Sequence, residues 1–262
     1  PDAYLVAEEW RDPVPYLQGD TFDGVMHYRL RELAFDYVIK NALTGEAFGR
    51  GLGALRSRLP QGSDYGMLTL LGSHDTPRVL TECGGDISKV NLLHTLLLTL
   101  PGAPMIFYGD ENGMEGANDP DCRRPMQWND EDWRQEIRRP LLRLISLRNR
   151  LPVLRKGSVQ SGFANDRIYS YYREWEGDRL LVVLNNSAVA RSLKLPVAFA
   201  EGTALVDLLS CSKALVPTAE IGPCAEHKGL DCYEVQDGGI AIDHLPPHTA
   251  LLLAISQLAN RL

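Results

Sequence analysis

The stretch Gly66-Met-Leu-Thr-Leu-Leu-Gly-Ser-His-Asp-Thr-Pro-Arg78 decides how the rest of the chain is read. Its first half, Gly66 to Leu71, is a short apolar run with the length and composition of a buried strand. Its second half puts two titratable side chains, His74 and Asp75, just after that strand. Pro77 then stops it, because proline lacks a backbone N–H and pushes the preceding residue out of the helical region. Polar groups at the C-terminal end of a core strand stand where parallel α/β sheets and barrels do their chemistry. Taken alone, a His-Asp pair after a strand is more simply a polar turn. Other stretches with the same layout shift the balance.

Upstream, Ala3 to Ala7 reads as a short buried strand with Glu8, Glu9 and Trp10 at its end. Alternation along a strand sends Glu8 and Glu9 to opposite faces, so only one of them looks into a cleft. Phe22 to Tyr28 reads as a second strand. Tyr28 to Lys40 reads as an amphipathic helix, with Leu30, Leu33, Ala34, Tyr37 and Val38 on one side. One more helix is expected within residues 41–65. Downstream, Asp86 is placed to cap a helix that carries Val90, Leu93, Leu97 and Leu100 at helical spacing. Gly102 to Tyr108 is a fourth strand, followed by a long polar loop to about Trp128. A basic, periodic helix then covers Glu131 to Arg150. Strand alternates with helix four times, which is the pattern of parallel βα units. Four such units are half of a (β/α)8 barrel, a fold that as a whole takes ~250 residues.

The pattern changes at Leu151-Pro-Val-Leu-Arg-Lys-Gly157, which sets the expected domains at residues 1–152 and 153–262. Ile168 to Trp175 and Arg179 to Asn185 flank a Glu176-Gly-Asp178 turn and read as a β-hairpin. Leu193 to Val197, Ala204 to Leu209, Gly239 to Asp243 and Thr249 to Ile255 add short strands. The rhythm predicts a small antiparallel β-sandwich, with residues 210–236 as an unplaced insertion. The expected fold is therefore α/β: strands five to eight of a (β/α)8 TIM barrel, then a β-sandwich.

Composition excludes some functions. Net charge is −7 and no long run of Lys and Arg occurs, which argues against nucleic acid or an anionic membrane as partner. The most apolar stretch, around Leu92 to Leu100, is interrupted by His94 and threonines, so no membrane span is expected. Five cysteines, an odd count without C-x-x-C, speak against a zinc site or a complete disulfide framework. Reduced thiols, and with them the cytoplasm, are the simpler reading, although Cys224 and Cys232 could pair. The abrupt opening Pro1-Asp-Ala-Tyr-Leu-Val6 suggests a piece of a longer protein, which makes the lack of a targeting signal uninformative.

In order and at their spacing, these stretches resemble the C-terminal half of an α-amylase superfamily glycosidase. The likeness is nearest to the neopullulanase, cyclomaltodextrinase and maltogenic amylase group. Ala3 to Trp10 resembles the fifth-strand motif, in which a Glu stands two residues before Trp. Asp20 to Tyr28 resembles the sixth-strand segment, and Leu71 to Arg78 the seventh-strand motif. Pro101 to Met114 resembles the eighth strand and its loop, and Asn118-Asp-Pro-Asp-Cys-Arg-Arg-Pro125 a loop of that subgroup.

The resemblance implies roles residue by residue. Glu8 matches the general acid/base. Asp75 matches the carboxylate that binds sugar hydroxyls and stabilises the transition state, and His74 its hydroxyl-binding neighbour. Asp119 and Arg123 match a pair that contacts a more distant sugar. Trp10 offers a ring face to sugar or fills the strand-end core. Ala7 stands where the family usually has Gly, and His27 where Asn is commoner. Retaining glycosidases place two carboxyl groups ~5–5.5 Å apart, and the acid keeps its proton through burial or a like charge. The family's nucleophile, an Asp at the end of the fourth strand, has no counterpart in this chain. The resemblance therefore implies an α-1,4-glucan hydrolase or transglycosylase whose present portion is inactive alone. The alternative is a catalytically dead relative, such as the amylase-like ectodomain of a transporter heavy chain. Neither cofactor nor metal is called for here, although Ca²⁺ sites occur elsewhere in the family. An open half barrel is expected to self-associate through its bare strand edge.

Overall fold

The computed structural model describes residues 2–210 and 231–259. By its internal contacts the chain divides into two compact units, Pro1–Leu43 with Ala47–Leu142, and Thr44–Glu46 with Arg143–Leu262.

The first unit is a series of parallel strands and helices. Its strands are β1 (Val6–Ala7), β2 (Gly24–Val25), β3 (Leu68–Leu70) and β4 (Ala103–Met105). β1 pairs parallel with β2, and β3 with β4. A parallel bridge from Met26 to Leu68 joins the two pairs. The four strands thus follow one another in space as in sequence, which is the strand complement of half a (β/α)8 barrel. Close approach at the centre depends on Gly24, where a Cβ would stand 2.0 Å from the Gly66 carbonyl oxygen.

Helices α1 (Tyr28–Val38), α2 (Gly45–Arg58), α3 (Val79–Glu82), α4 (Ile87–Thr99) and α5 (Gln135–Arg150) follow in the chain. Asp86 caps α4 by accepting from the backbone N–H groups of Ser88 and Lys89. Leu92 to Thr99 are all buried, which is why α4 is apolar on every side rather than along one stripe. α1 falls where the periodicity puts it, α2 lies within residues 41–65 as expected, and α5 begins four residues later than the pattern suggests.

The first strand departs from expectation. Ala3 to Ala7 reads as a buried strand, yet only Val6 and Ala7 are extended in a ladder, and Tyr4, Leu5 and Val6 are 47%, 52% and 37% exposed. Ala7 is buried, but among the described residues β1 has a neighbour only on its β2 side, and the side chains of Tyr4, Leu5 and Val6 lack a cover.

The second unit holds the short helix α6 (Pro152–Lys156) and strands β5 (Ser158–Ala164), β6 (Ile168–Trp175), β7 (Asp178–Asn185), β8 (Arg191–Pro196), β9 (Ala204–Asp207), β10 (Cys232–Glu234), β11 (Gly239–Leu245) and β12 (Thr249–Ile255). Six form an antiparallel sheet in the order β10-β9-β12-β7-β6-β5, and β11 pairs with β8 in a second. Ile168 and Tyr172, Leu181 and Val183, Leu195, Ile240 and Ile242, and Leu251 and Leu253 meet in one core, at the period of two that strands impose. The opposite face of β6 and β7 is buried too, which explains the unbroken apolar run Leu180 to Leu184. β5 is absent from the sequence reading, because its residues are mostly exposed and show no sustained apolar alternation.

Cys83 and Cys122 are free and buried, whereas Cys232 is disulfide-bonded. A uniformly reduced set of thiols is therefore not what the structure holds. Cys211 and Cys224 lie outside the described residues, as does most of the 210–236 insertion. No helix among the described residues is long and apolar enough to cross a membrane.

Candidate active site

The loops after the parallel strands all leave from the C-terminal strand ends, and those after β1, β3 and β4 carry the candidate site residues. After β3 the chain makes a tight turn. Ser73 N–H donates to Thr76 Oγ1 (3.0 Å), Thr76 N–H to the Ser73 carbonyl (3.3 Å), and Asp75 N–H to Ser73 Oγ (3.2 Å). Ser73 and Thr76 are buried, so the turn is anchored from below while His74 and Asp75 stand out from it. His74 Nε2 lies 3.4 Å from Asp75 Oδ2, and the two side chains are 52% and 37% exposed.

The loop after β4 folds back onto this turn. A one-turn helix over Asp121–Arg123 brings Cys122 Sγ and Arg123 Nε to the His74 carbonyl, at 3.2 and 3.0 Å. Arg123 Nε also lies 2.8 Å from Asp119 Oδ1, and Nη2 lies 3.1 Å from Asp75 Oδ1. Asp121 shapes the bend. It accepts from the Ala117 N–H (2.7 Å) and pairs with Arg124, and these two interactions, the backbone one first, hold its carboxyl below the usual range. His74, Asp75, Asp119 and Arg123 are thus one connected cluster.

Glu8 and Glu9 have different surroundings. Glu9 accepts from the Arg11 N–H (2.7 Å) and from the Tyr16 hydroxyl (3.3 Å). Glu8 is exposed and accepts no hydrogen bond among the described residues. Its charge acts on Tyr28, as does that of Asp75. Burial first, then these two carboxylates, push the Tyr28 phenol upward, while its bond to Ser73 and the charge of Arg31 pull the other way. The Tyr28 hydroxyl donates to Ser73 Oγ at 3.2 Å. Trp10 stacks on the Tyr28 ring with centroids 3.6 Å apart and planes within 11°, and remains 44% exposed. The indole thus has one face on Tyr28 and an edge and face toward solvent. No hydrogen bond or ion pair joins Glu8 to the His74–Asp75–Asp119–Arg123 cluster among the described residues, and the link between them runs through Tyr28. The enclosure expected around Glu8 is likewise not supplied by the described residues.

Tyr28 and Ser73 carry no mark in the sequence, since Tyr28 reads only as the point where a strand passes into a helix. The same holds for a buried layer under the turn. Arg31 Nε donates to the Leu71 carbonyl (2.6 Å) and Nη2 pairs with Glu82 (3.2 Å). Arg78, without exposed surface, pairs with Asp110 at 3.2 Å. Burial pushes the Asp110 carboxyl up to about 7, against the opposing pull of Arg78. No group of three or more His, Cys, Asp or Glu side chains that could hold a metal ion occurs among the described residues.

Residues 1–171 match the family model of the α-amylase catalytic domain, and residues 163–219 that of the maltogenic amylase C-terminal domain. A cyclomaltodextrinase of Geobacillus thermopakistaniensis is 39% identical over 80% of this chain and 36% of its own length. Neopullulanase 2 of Thermoactinomyces vulgaris is 38% identical over the same shares. Among solved structures, the cyclic α-maltosyl-(1→6)-maltose hydrolase of Arthrobacter globiformis in complex with maltose aligns with a TM-score of 0.75 and 32% identity, over 97% of this chain and 49% of that one. A cyclomaltodextrinase structure aligns with a TM-score of 0.83 and 29% identity, over 97% and 40%. The chain spans about a third of the length of the curated relatives it matches.

Proposed function

This chain belongs to the α-amylase family, and we propose that its first unit carries the acid/base and transition-state side of a glycosidase that cleaves α-1,4-glucosidic bonds with retention. The observation that carries the reading is the contrast between Glu8 and Glu9. Glu9 is tied to Arg11 and Tyr16, while Glu8 is left without a partner beside Tyr28, which also feels Asp75. A carboxyl group that must give and take a proton needs that freedom.

In this reading Glu8 protonates the glycosidic oxygen as the sugar's anomeric carbon is attacked, and then takes a proton from the water that releases the glycosyl intermediate. His74 and Asp75 hold hydroxyls of the sugar at the cleavage point. Asp119 and Arg123 hold a sugar further from the cleavage point, and the open face of Trp10 packs on a pyranose ring. The attacking carboxylate is an Asp that residues outside these 262 supply, because no Asp here stands at the matched place. The substrate class is maltooligosaccharides and their cyclic or branched forms. Support comes from relatives named cyclomaltodextrinase and neopullulanase, and from a related hydrolase solved with maltose.

The test is a pair of substitutions in the complete protein. Glu8→Gln is expected to lower kcat on maltotriose by about a thousandfold or more, and Glu9→Gln by less than about tenfold. Loss of activity in Glu9→Gln with retention in Glu8→Gln would overturn the assignment.

A further inference from the structure

We infer that Arg78 and Asp110 are positioning residues: buried under the His74–Asp75 turn, they lock that turn to the loop after β4, so that Asp75 and Arg123 face substrate in one fixed arrangement. The inference rests on the reading of Asp75 as a sugar contact.

Arg78 follows Asp75 by three residues and is fully buried, with Asp110 97% buried opposite it. Nη1 of Arg78 pairs with Asp110 Oδ1 at 3.2 Å and donates to the Tyr108 carbonyl. The guanidinium carbon lies 4.7 Å from the ring centroids of both Phe107 and Tyr108. Its own backbone N–H donates to the Gly116 carbonyl at 3.0 Å, and the Gly116 N–H donates to Thr81 Oγ1 at 2.9 Å. One side chain and one amide therefore fasten the β3 turn to residues 107–116. The same loop then returns Cys122 and Arg123 to the His74 carbonyl.

Two glycines make room for the pair. A Cβ on Gly72 would stand 2.7 Å from Asp110 Oδ2, and one on Gly109, at φ +86°, would stand 3.2 Å from Arg78 Nη1.

Stability alone is a poor reason for this arrangement. Replacing a buried ion pair by apolar side chains is often neutral or stabilising, because both charges lose their water. Here the balance is worse than usual, since Nε and Nη2 of Arg78 are buried without a hydrogen-bond partner among the described residues. What the pair does provide is geometry. Two rings fix the plane of the guanidinium, and the guanidinium fixes a carbonyl and a carboxylate of the neighbouring loop.

Two measurements on the complete protein test this. In the first, Arg78→Met and Asp110→Asn are each expected to lower kcat on maltotriose about 100-fold at 25 °C, the size of loss that a displaced catalytic contact produces, with KM raised by no more than about the tenfold that loss of the Arg123 contact costs. Arg78→Lys should recover part of the loss. On an Asp75→Asn background, Arg78→Met should remove less than about fivefold more, because both changes act through the same contact. Wild-type kcat in Arg78→Met with only a lowered Tm would overturn the inference, and so would losses that multiply in the double variant. The second measurement needs no turnover. Trypsin cleavage after Arg123 should be about tenfold faster in Arg78→Met than in wild type, below the Tm of both, because the loop is unlatched. Equal cleavage rates would sink the inference even if the wild type released no sugar, an outcome that would count against the proposed function instead. If Arg78→Met does not fold, Asp110→Asn and Arg78→Lys carry both measurements.

Discussion

The Arg123 guanidinium stands 3.1 Å from the Asp75 carboxylate and joins two loops whose residues are 48 apart in the chain. Its Nε reaches both Asp119 and the His74 carbonyl, so a single side chain ties together Asp75, Asp119 and the backbone of His74. Both ion pairs are close to half exposed, and such pairs contribute little to stability, about 0–1 kcal/mol. Arg123→Ala should therefore leave Tm within a few degrees of wild type while weakening maltotriose binding about tenfold or more. Calorimetric binding beside a thermal melt checks this, and a large Tm loss with unchanged affinity would show that the cluster serves the fold instead.

Tyr28 predicts a split between its ring and its hydroxyl. The ring is buried and carries Trp10, while the hydroxyl makes one bond to Ser73. Tyr28→Phe removes the bond and keeps the stack, for a loss of about 0.5–1.5 kcal/mol and an unshifted Trp10. Tyr28→Ala removes the support and leaves a cavity, for about 3–5 kcal/mol. Trp10 emission in a variant keeping Trp10 as its sole tryptophan reads the difference. If the two substitutions moved it equally, the stack would not be what orients the indole.

Much of the architecture is legible because it is written in local patterns. Four apolar runs, each closed by polar or glycine-containing turns, give the parallel strands, and the turn at Glu176-Gly-Asp178 gives the β6–β7 hairpin. The alternation at Glu8 and Glu9 anticipates that the two carboxylates meet different surroundings. What escapes is contact between residues with no shared pattern. Arg78 and Asp110 are 32 residues apart and each sits in a polar turn, so nothing in the sequence marks them as a buried pair. Tyr28 reads only as the junction of a strand and a helix. β5 escapes for the opposite reason, since hydrogen bonding to β6 rather than burial makes it a strand.

Buried titratable groups set an opposed pH dependence. Burial lowers His27 and His94 to about 4 from 6.5. Their contribution to stability is present above pH 6.5 and is lost as pH falls through 4, on the order of 3 kcal/mol each. Burial raises Asp110 to about 7 and Asp207 to about 6 from 3.8. Their contribution is present below pH 3.8 and is lost as pH rises through 6 to 7. Denaturant unfolding between pH 4 and 8 should therefore show an acid limb that His94→Leu flattens and a neutral limb that Asp110→Asn flattens. A His94→Leu variant with the full wild-type acid limb would mean that this histidine is charged inside the fold.

The last expectation concerns the 262 residues expressed by themselves. A retaining reaction passes through a glycosyl intermediate bonded to a carboxylate, and the proposed reading places that carboxylate outside these residues. Asp75 does not replace it, because Asp75 is committed to Arg123 and His74 in the exposed cluster. The chain alone should bind maltotriose weakly through His74, Asp75, Asp119 and Arg123 and release no glucose or maltose from it. β1 leaves Tyr4, Leu5 and Val6 uncovered, so copies of the chain are also expected to associate along this edge. Light scattering on a dilution series reads the association, and a long incubation with maltotriose, pullulan and β-cyclodextrin reads turnover. Separately expressed upstream residues that dock along β1 should displace the copies and restore hydrolysis together. Sugar released by the chain alone, and abolished by Glu8→Gln, would mean that a carboxylate within these residues is the nucleophile. A monomer insensitive to concentration would mean that the exposed edge is stable in water by itself.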